Sequence, residues 1–281
     1  MKRRYRLRHT REYFSITTNR GLVNSPALSL LTAYRQRQSH LKVLLAWLAR
    51  MREEEDFTQF ELIMVEGDAE ASSSAKAMCS EYGWVHYHHV AMPGVFHKAK
   101  LLNYAASVAQ GKHLMMYDVD LLPSKAVLSN HLRLAQESPR CLVAGYRVQL
   151  PDSLCDDLPL PEPTKLLADL ASTDSNLICP EDEAGALRNY LLDGERFGVC
   201  PCIPVDLFRA LGGVDEQFIG WGCEDQDLIH RLCLSGLTLV RSYNLLYFHL
   251  PHDYESEWRS QHLTNANRRR FYDRFTHDDL V

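Results

Sequence analysis

His113-Leu114-Met115-Met116-Tyr117-Asp118-Val119-Asp120-Leu121-Leu122-Pro123 is an apolar run that stops abruptly at two carboxylates. Its first five residues read as a buried strand. The acids therefore stand where a strand gives way to a loop. Two carboxylates separated by one residue on an extended chain point to opposite sides. One can then bind a divalent cation while the other holds a sugar or ribose hydroxyl. Hard oxygen ligands of this kind suit magnesium or manganese bridged to phosphates. An acidic pair in a loop is also an ordinary solvated feature, so it is the place at a strand's carboxyl end that gives Asp118 and Asp120 their interest.

Upstream, short apolar runs alternate with longer amphipathic ones. Ala27 to Ala33 reads as a strand, and 38–51 as a helix with Leu41, Leu44, Leu45 and Leu48 on one face. A strand at 60–65, a helix at 72–82, a strand at 84–89 and a helix at 98–109 follow in turn. Strands separated by helices of this length imply an α/β fold, a mostly parallel sheet covered on both faces. Ligands of such sheets sit beyond the carboxyl ends of the strands. The loops after Ala33, Val65 and Tyr117 are where chemistry is expected.

Downstream, residues 151–195 turn acidic and proline-bearing, and are expected to form an insertion packed beside the site. Strands are expected near 197–203 and 245–249, with a helix over 224–234. The whole reads as a basic arm over 1–26 followed by one domain over 27–281. Its parts are a first half at 27–150, the insertion at 151–195 and a second half at 196–281.

The chain has 281 residues, enough to bury a core without disulfide or metal staples. With 46% hydrophobic and 24% charged residues it has an ordinary globular composition. Lysine plus arginine number 31 against 36 aspartate plus glutamate, a net charge of −5, which argues against nucleic acid as a partner. No apolar run approaches the roughly 18 residues of a membrane span. The arm MKRRYRLRHTREYF lacks the apolar stretch of an export signal. It is a solvated tail or a peripheral contact for an anionic membrane. The eight cysteines form no CxxC pair, so reduced thiols and a cytoplasmic setting are expected.

Three further clusters carry chemistry. Gly220-Trp221-Gly222-Cys223-Glu224-Asp225-Gln226-Asp227 places an aromatic between glycines ahead of a helix that opens with acids. Acids in a first turn suit the helix dipole without any catalytic role, and Asp227 with Arg231 is an i, i+4 pair. A tryptophan between glycines is costly on a surface unless the loop moves or stacks on a ligand. A carboxylate beside such a segment is a good place for a general base. His249-Leu250-Pro251-His252 puts two imidazoles after an apolar strand, where they either complete a coordination shell with Asp120 or form a polar turn. Arg35 and Arg37 alternate as on an extended segment, and guanidinium forks suit a diphosphate. Lys98 and Lys100 stand at a helix start; each of these cations alone also reads as a solvated loop charge.

Taken in order, these residues resemble the β-1,4-galactosyltransferase family, with its nucleotide-sugar transferase fold called GT-A. AYRQRQSHLKVLLAWL resembles that family's opening strand and helix, VFHKAKLLNYA the segment before its metal motif, and DVDLLP the metal motif itself. FIGWGCEDQDLIHRL resembles the acceptor-side loop and helix, and HLPH falls where the remaining metal ligands lie. The similarity runs from about Ala27 to Phe271. Related motifs occur in polypeptide N-acetylgalactosaminyltransferases and chondroitin-type polymerases. The resemblance implies a metal-dependent inverting transferase that uses a UDP-sugar, with manganese or magnesium, and a glycan or glycoconjugate acceptor. It gives Asp120, His252 and His249 to the metal, and Asp118, Arg35, Arg37, Phe96 and Lys98 to the donor. It makes Trp221 the lid, lets Glu224 hold a sugar and makes Asp225 the base. A non-catalytic GT-A module that binds nucleotide or glycan is the alternative. Three departures leave the donor sugar open: Ala33-Tyr34 replaces proline-phenylalanine, Val199 replaces a glycine, and Arg196 replaces an aromatic.

Overall fold

The computed structural model describes residues 25–55, 57–150, 199–252 and 260–278. The arm up to residue 24, the acidic segment 151–198 (with Arg196) and 253–259 lie outside them.

Eight strands form one sheet: β1 (Leu28–Tyr34), β2 (Phe60–Asp68), β3 (Val85–Ala91), β4 (His113–Met116), β5 (Leu121–Pro123), β6 (Cys141–Gln149), β7 (Val199–Pro204) and β8 (Thr238–His249). Their spatial order is β3-β2-β1-β4-β7-β6-β8-β5. The pairs β1/β2, β2/β3, β1/β4 and β6/β8 are parallel, whereas β7 runs antiparallel to both β4 and β6, and β5 to β8. The helices are α1 (Gln38–Glu54), α2 (Ser73–Ser80), α3 (Lys98–Val108), α4 (Val127–Glu137), α5 (Val205–Ala210), α6 (Glu224–Leu234) and α7 (Gln261–Asp278).

Strand alternation sorts the core into two layers. On one face Leu28, Leu30, Leu62 and Met64 meet Leu41, Leu44 and Leu48 of α1, Ala75 of α2 and Leu128 and Leu132 of α4. On the other, Leu31, Ile63 and Val65 meet Leu101 and Leu102 of α3, Phe208 of α5 and Leu228 and Ile229 of α6. Each aliphatic side chain so buried stabilises the fold by about 1.5–3 kcal/mol relative to exposure. The expected mostly parallel sheet with helices on both faces is what the chain forms. Local signals agree where they exist: Ser72 caps α2, its hydroxyl accepting from the Ala75 amide at 3.2 Å.

The order β3-β2-β1-β4 makes the chain step outward on one side of β1 and then return to its other side. That reversal leaves a crevice beyond the carboxyl ends of β1 and β4, the usual ligand position in such sheets. Because β6 and β8 run in the same direction as β4, their carboxyl ends open onto the same edge. Among the described residues no helix is long and apolar enough to cross a membrane.

Candidate active site

The acidic motif sits at this edge and is held by buried bonds. The Tyr117 amide donates to the Leu31 carbonyl at 2.8 Å, and the Thr32 hydroxyl donates to the Tyr117 carbonyl at 2.9 Å. A turn follows, closed by the Leu121 amide on the Asp118 carbonyl at 3.2 Å and by the Tyr117 hydroxyl on the Leu121 carbonyl at 3.0 Å. The two carboxylates do diverge, but through this turn and not through the alternation of an extended strand. Asp120 is then locked to β8: Leu121 pairs with His249, and the Leu250 amide donates to the Asp120 carbonyl at 2.8 Å.

That backbone lock brings the three expected metal residues together. Ligand atoms of Asp120, His249 and His252 lie within 4.8 Å of one another. One Asp120 oxygen is 3.5 Å from His249 Nε2 and the other 3.3 Å from His252 Nε2. Among the described residues the buried Asp120 Oδ1 and His249 Nδ1 atoms have no hydrogen-bond partner, a costly state for polar atoms unless something else satisfies them. Burial first, and Arg147 after it, push the His249 imidazole down to about 4, against the opposing pull of Asp120. The ring is therefore neutral at pH 7, with a lone pair to give. These residues fit a divalent cation, and two imidazoles beside one carboxylate fit manganese better than magnesium. His40 of α1 approaches the Pro251 carbonyl at 3.0 Å and steadies the turn that carries His252.

Asp118 faces a second group. Lys98, Asp118, Arg147, Cys200, Glu224 and Asp225 line a cleft of about 50 Å³. Lys98 Nζ lies 2.6 Å from Asp118 and 3.9 Å from Glu224, and Arg147 lies 3.8 Å from Asp118. Burial would raise the Asp118 carboxyl, but Lys98 and Arg147 outweigh it and hold Asp118 well below the usual carboxylate range. Lys98 is held above the usual lysine range: Asp118 and Glu224 more than offset its burial. Glu224 goes the other way. Burial and then the Asp225 charge raise it to about 7, with Lys98 only partly opposing them. The Gly222 amide donates to its Oε2 at 3.1 Å. Asp225, less buried, accepts from the Gln226 amide at 2.8 Å in the first turn of α6.

The two arginines after β1 do not share an extended segment, which corrects the expectation from their alternation. Gln36 between them takes φ 52°, left-handed backbone, and its amide donates to Asp68 at 2.7 Å. The turn sends Arg35 one way and Arg37 the other. Arg35 spends its nitrogens on the Gly67, Met92 and Gly94 carbonyls, the last two at 2.8 Å, with its guanidinium 5.3 Å from the Phe96 ring. It is the strut of the loop that carries Phe96, which is itself buried. Arg37 reaches the metal residues, pairing with Asp120 and lying 3.3 Å from His252 Nδ1. Trp221 stands half-buried in the loop ahead of Glu224. Sequence reasoning missed Arg147 and Cys200. An arginine inside the apolar strand VAGYRVQL was the available signal; Cys200 gave none.

Residues 188–253 match the family described as the N-terminal domain of galactosyltransferase, a stretch that takes in β7, α5, α6, β8 and both histidines. No curated protein matches the chain. Among solved structures, the crystal structure of S. aureus TarS 1–349 matches with a TM-score of 0.54 at 13% identity. The match covers 79% of this chain and 60% of that one, so the chain spans about 60% of that structure's length. Likeness at this identity is a likeness of fold. The sheet order and the crevice go with a fold like that of the TarS structure, and the segment 188–253, which carries the Trp221 loop and both histidines, is similar to the galactosyltransferase family.

Proposed function

We propose that the protein is a cation-assisted, inverting glycosyltransferase that moves a hexose or N-acetylhexosamine from a UDP-sugar to a hydroxyl of a glycan or glycoconjugate. One observation carries this reading. Asp120, His249 and His252 converge within 4.8 Å at the same sheet edge as the cleft that holds Asp118, Glu224 and Asp225. Residues 27–281 act as one domain in this reading, and its two halves meet at that edge.

A manganese ion on the three ligands would supply positive charge against the diphosphate as the bond to the sugar breaks. Arg37 presents its guanidinium fork beside those ligands, where a diphosphate would meet it. Arg35 acts indirectly, by fixing the Phe96 loop for the base. Asp118, kept ionised by Lys98 and Arg147, accepts from donor hydroxyls. Glu224 retains a proton near neutrality, so it can donate to a sugar hydroxyl as well as accept. Asp225 is the more open carboxylate and takes the proton of the acceptor hydroxyl. The acceptor oxygen bonds to the anomeric carbon from the face opposite UDP, and UDP leaves with the electron pair of the broken bond.

Thermal-shift screening of UDP-sugars with and without MnCl2 tests the donor class. A UDP-sugar in excess should raise the Tm by several degrees, and only with manganese. Asp225→Asn should keep that shift and lose at least about a hundredfold in transfer, the usual range for a general base. No shift with any UDP-sugar, or parental turnover in Asp225→Asn, overturns the assignment.

A further inference from the structure

One face of α7 is turned to the loop ahead of α6 and to α6 itself. Asn267, Arg270, Phe271 and Arg274 recur at the i, i+3, i+4, i+7 spacing of one helical stripe. Arg270 and Arg274 grip the Asp215 carboxylate, Arg270 at 2.9 Å and Arg274 at 2.6 Å. Phe271 packs against Phe218, and the Arg270 guanidinium lies 5.6 Å from that ring. The Asn267 amide donates to the carbonyls of Ile219 at 2.9 Å and Trp221 at 3.1 Å. Arg274 also pairs with Asp227 in the first turn of α6, so the helix stands on a rigid element while it holds the loop.

The two carbonyls held by Asn267 flank Gly220, and Gly222 comes next. Their φ values are 77° and 105°, backbone that glycine adopts freely and that other residues rarely take. Backbone of this kind can swivel on either side of Trp221, and the two Asn267 bonds oppose that swivel. The cleft holds about 50 Å³, against roughly 300–1,000 Å³ for a small-molecule site. Its lining comes from strands, from α3, from the first two residues of α6 and from Asp118 in the turn after β4, and the Trp221 loop runs directly into that α6 start.

We infer that Asn267 is a positioning residue that sets the resting place of the Trp221 loop, and that α7 is the element from which the loop must detach to admit a donor. This rests on reading that loop as the cover of the donor site.

Hydrogen exchange tests it directly, with no turnover required. In the full chain, Asn267→Ala should speed exchange of the 218–223 amides by about tenfold while β1, β2 and β4 stay protected. Asn267→Asp, which keeps the shape and loses both amide donors, should do the same. Trp221 emission should shift to the red and quench more readily with acrylamide in Asn267→Ala, and a Trp221→Phe background should abolish that difference. If Asn267→Ala does not fold, Arg270→Gln weakens the grip on Asp215, leaving Arg274 as its partner, and should speed exchange over 215–218. Unchanged loop exchange in the folded variants, or a rise spread equally through the strands, overturns the inference. The UDP-sugar screen is independent: a failed screen with a faster loop removes the transferase reading and leaves the latch, and the converse removes only the latch.

Discussion

Glu224 holds a proton that an ordinary glutamate has released near neutral pH. Its carboxyl is raised from 4.5 to about 7 by burial and by the neighbouring Asp225 charge. The folded state therefore binds a proton over pH 4.5 to 7 that the unfolded chain has already released. The linkage sign follows: this contribution is complete below about 4.5 and is lost as pH rises through about 7. Glu224→Gln removes the titration. Its stability should fall less than the parent's between pH 5 and 8, by about 2–4 kcal/mol, measured by urea unfolding at each pH. Parallel curves for the two proteins would mean that Glu224 is ionised throughout. At this scale the sequence was legible for acids and histidines. Asp118, Asp120, Glu224, Asp225, His249 and His252 announce themselves by clustering, and all six lie at one edge. The arginines were not legible in the same way. Whether a guanidinium faces a ligand or a carbonyl depends on one left-handed residue, Gln36, and glutamine carries no sign of that backbone.

Elements with a repeating apolar pattern were readable: β1, β2, α1, α3 and α6 stand within a few residues of their expected positions. Those held by other means were not. The polar α7 carries three successive arginines and binds through ion pairs, one asparagine and a single buried aromatic, Phe271, so periodicity of apolar residues had little to report. β5 has three residues and ends in proline, which places it at an edge, where it pairs with β8. β8 itself extends back to Thr238, well before the expected start at 245, because its pairing with β6 shifts register and the chain keeps polar residues there. Gly145 sits in that shift. A Cβ there would lie 2.6 Å from the Tyr247 ring and 2.7 Å from the Leu245 carbonyl. Backbone cannot yield as a flexible side chain can. Gly145→Ala should therefore destabilise by about 1–3 kcal/mol in urea unfolding. If the proposed donor reading holds, it should also weaken UDP binding, since Arg147 and His249 lie just beyond the shift on β6 and β8. An alanine variant as stable as the parent would show that the strands repack there at no cost.

The site joins parts of the molecule that lie far apart in the chain. Asp120 follows β4, whereas His249 and His252 end β8, and Arg37 leads into α1. The Arg37 guanidinium pairs with Asp120, so a divalent cation that takes that carboxylate would compete with it. An ion bound here would cross-link both halves of the sheet and bind only the folded state. Manganese at a hundredfold over its dissociation constant should add about 2.7 kcal/mol, by the logarithmic dependence on ligand excess. For a domain of this size that raises the Tm by about 5–10 °C. Magnesium should give less, because two of the three ligands are imidazoles. Asp120→Asn should abolish the manganese-dependent rise, and His252→Ala should diminish it. The comparison is between Tm with manganese and Tm with EDTA for each protein, so any cost of leaving Arg37 unpaired cancels. An equal rise in parent and Asp120→Asn would place the ion elsewhere, and the pairing of Asp120 with Arg37 would then be a structural salt bridge between the first helix and the acidic turn.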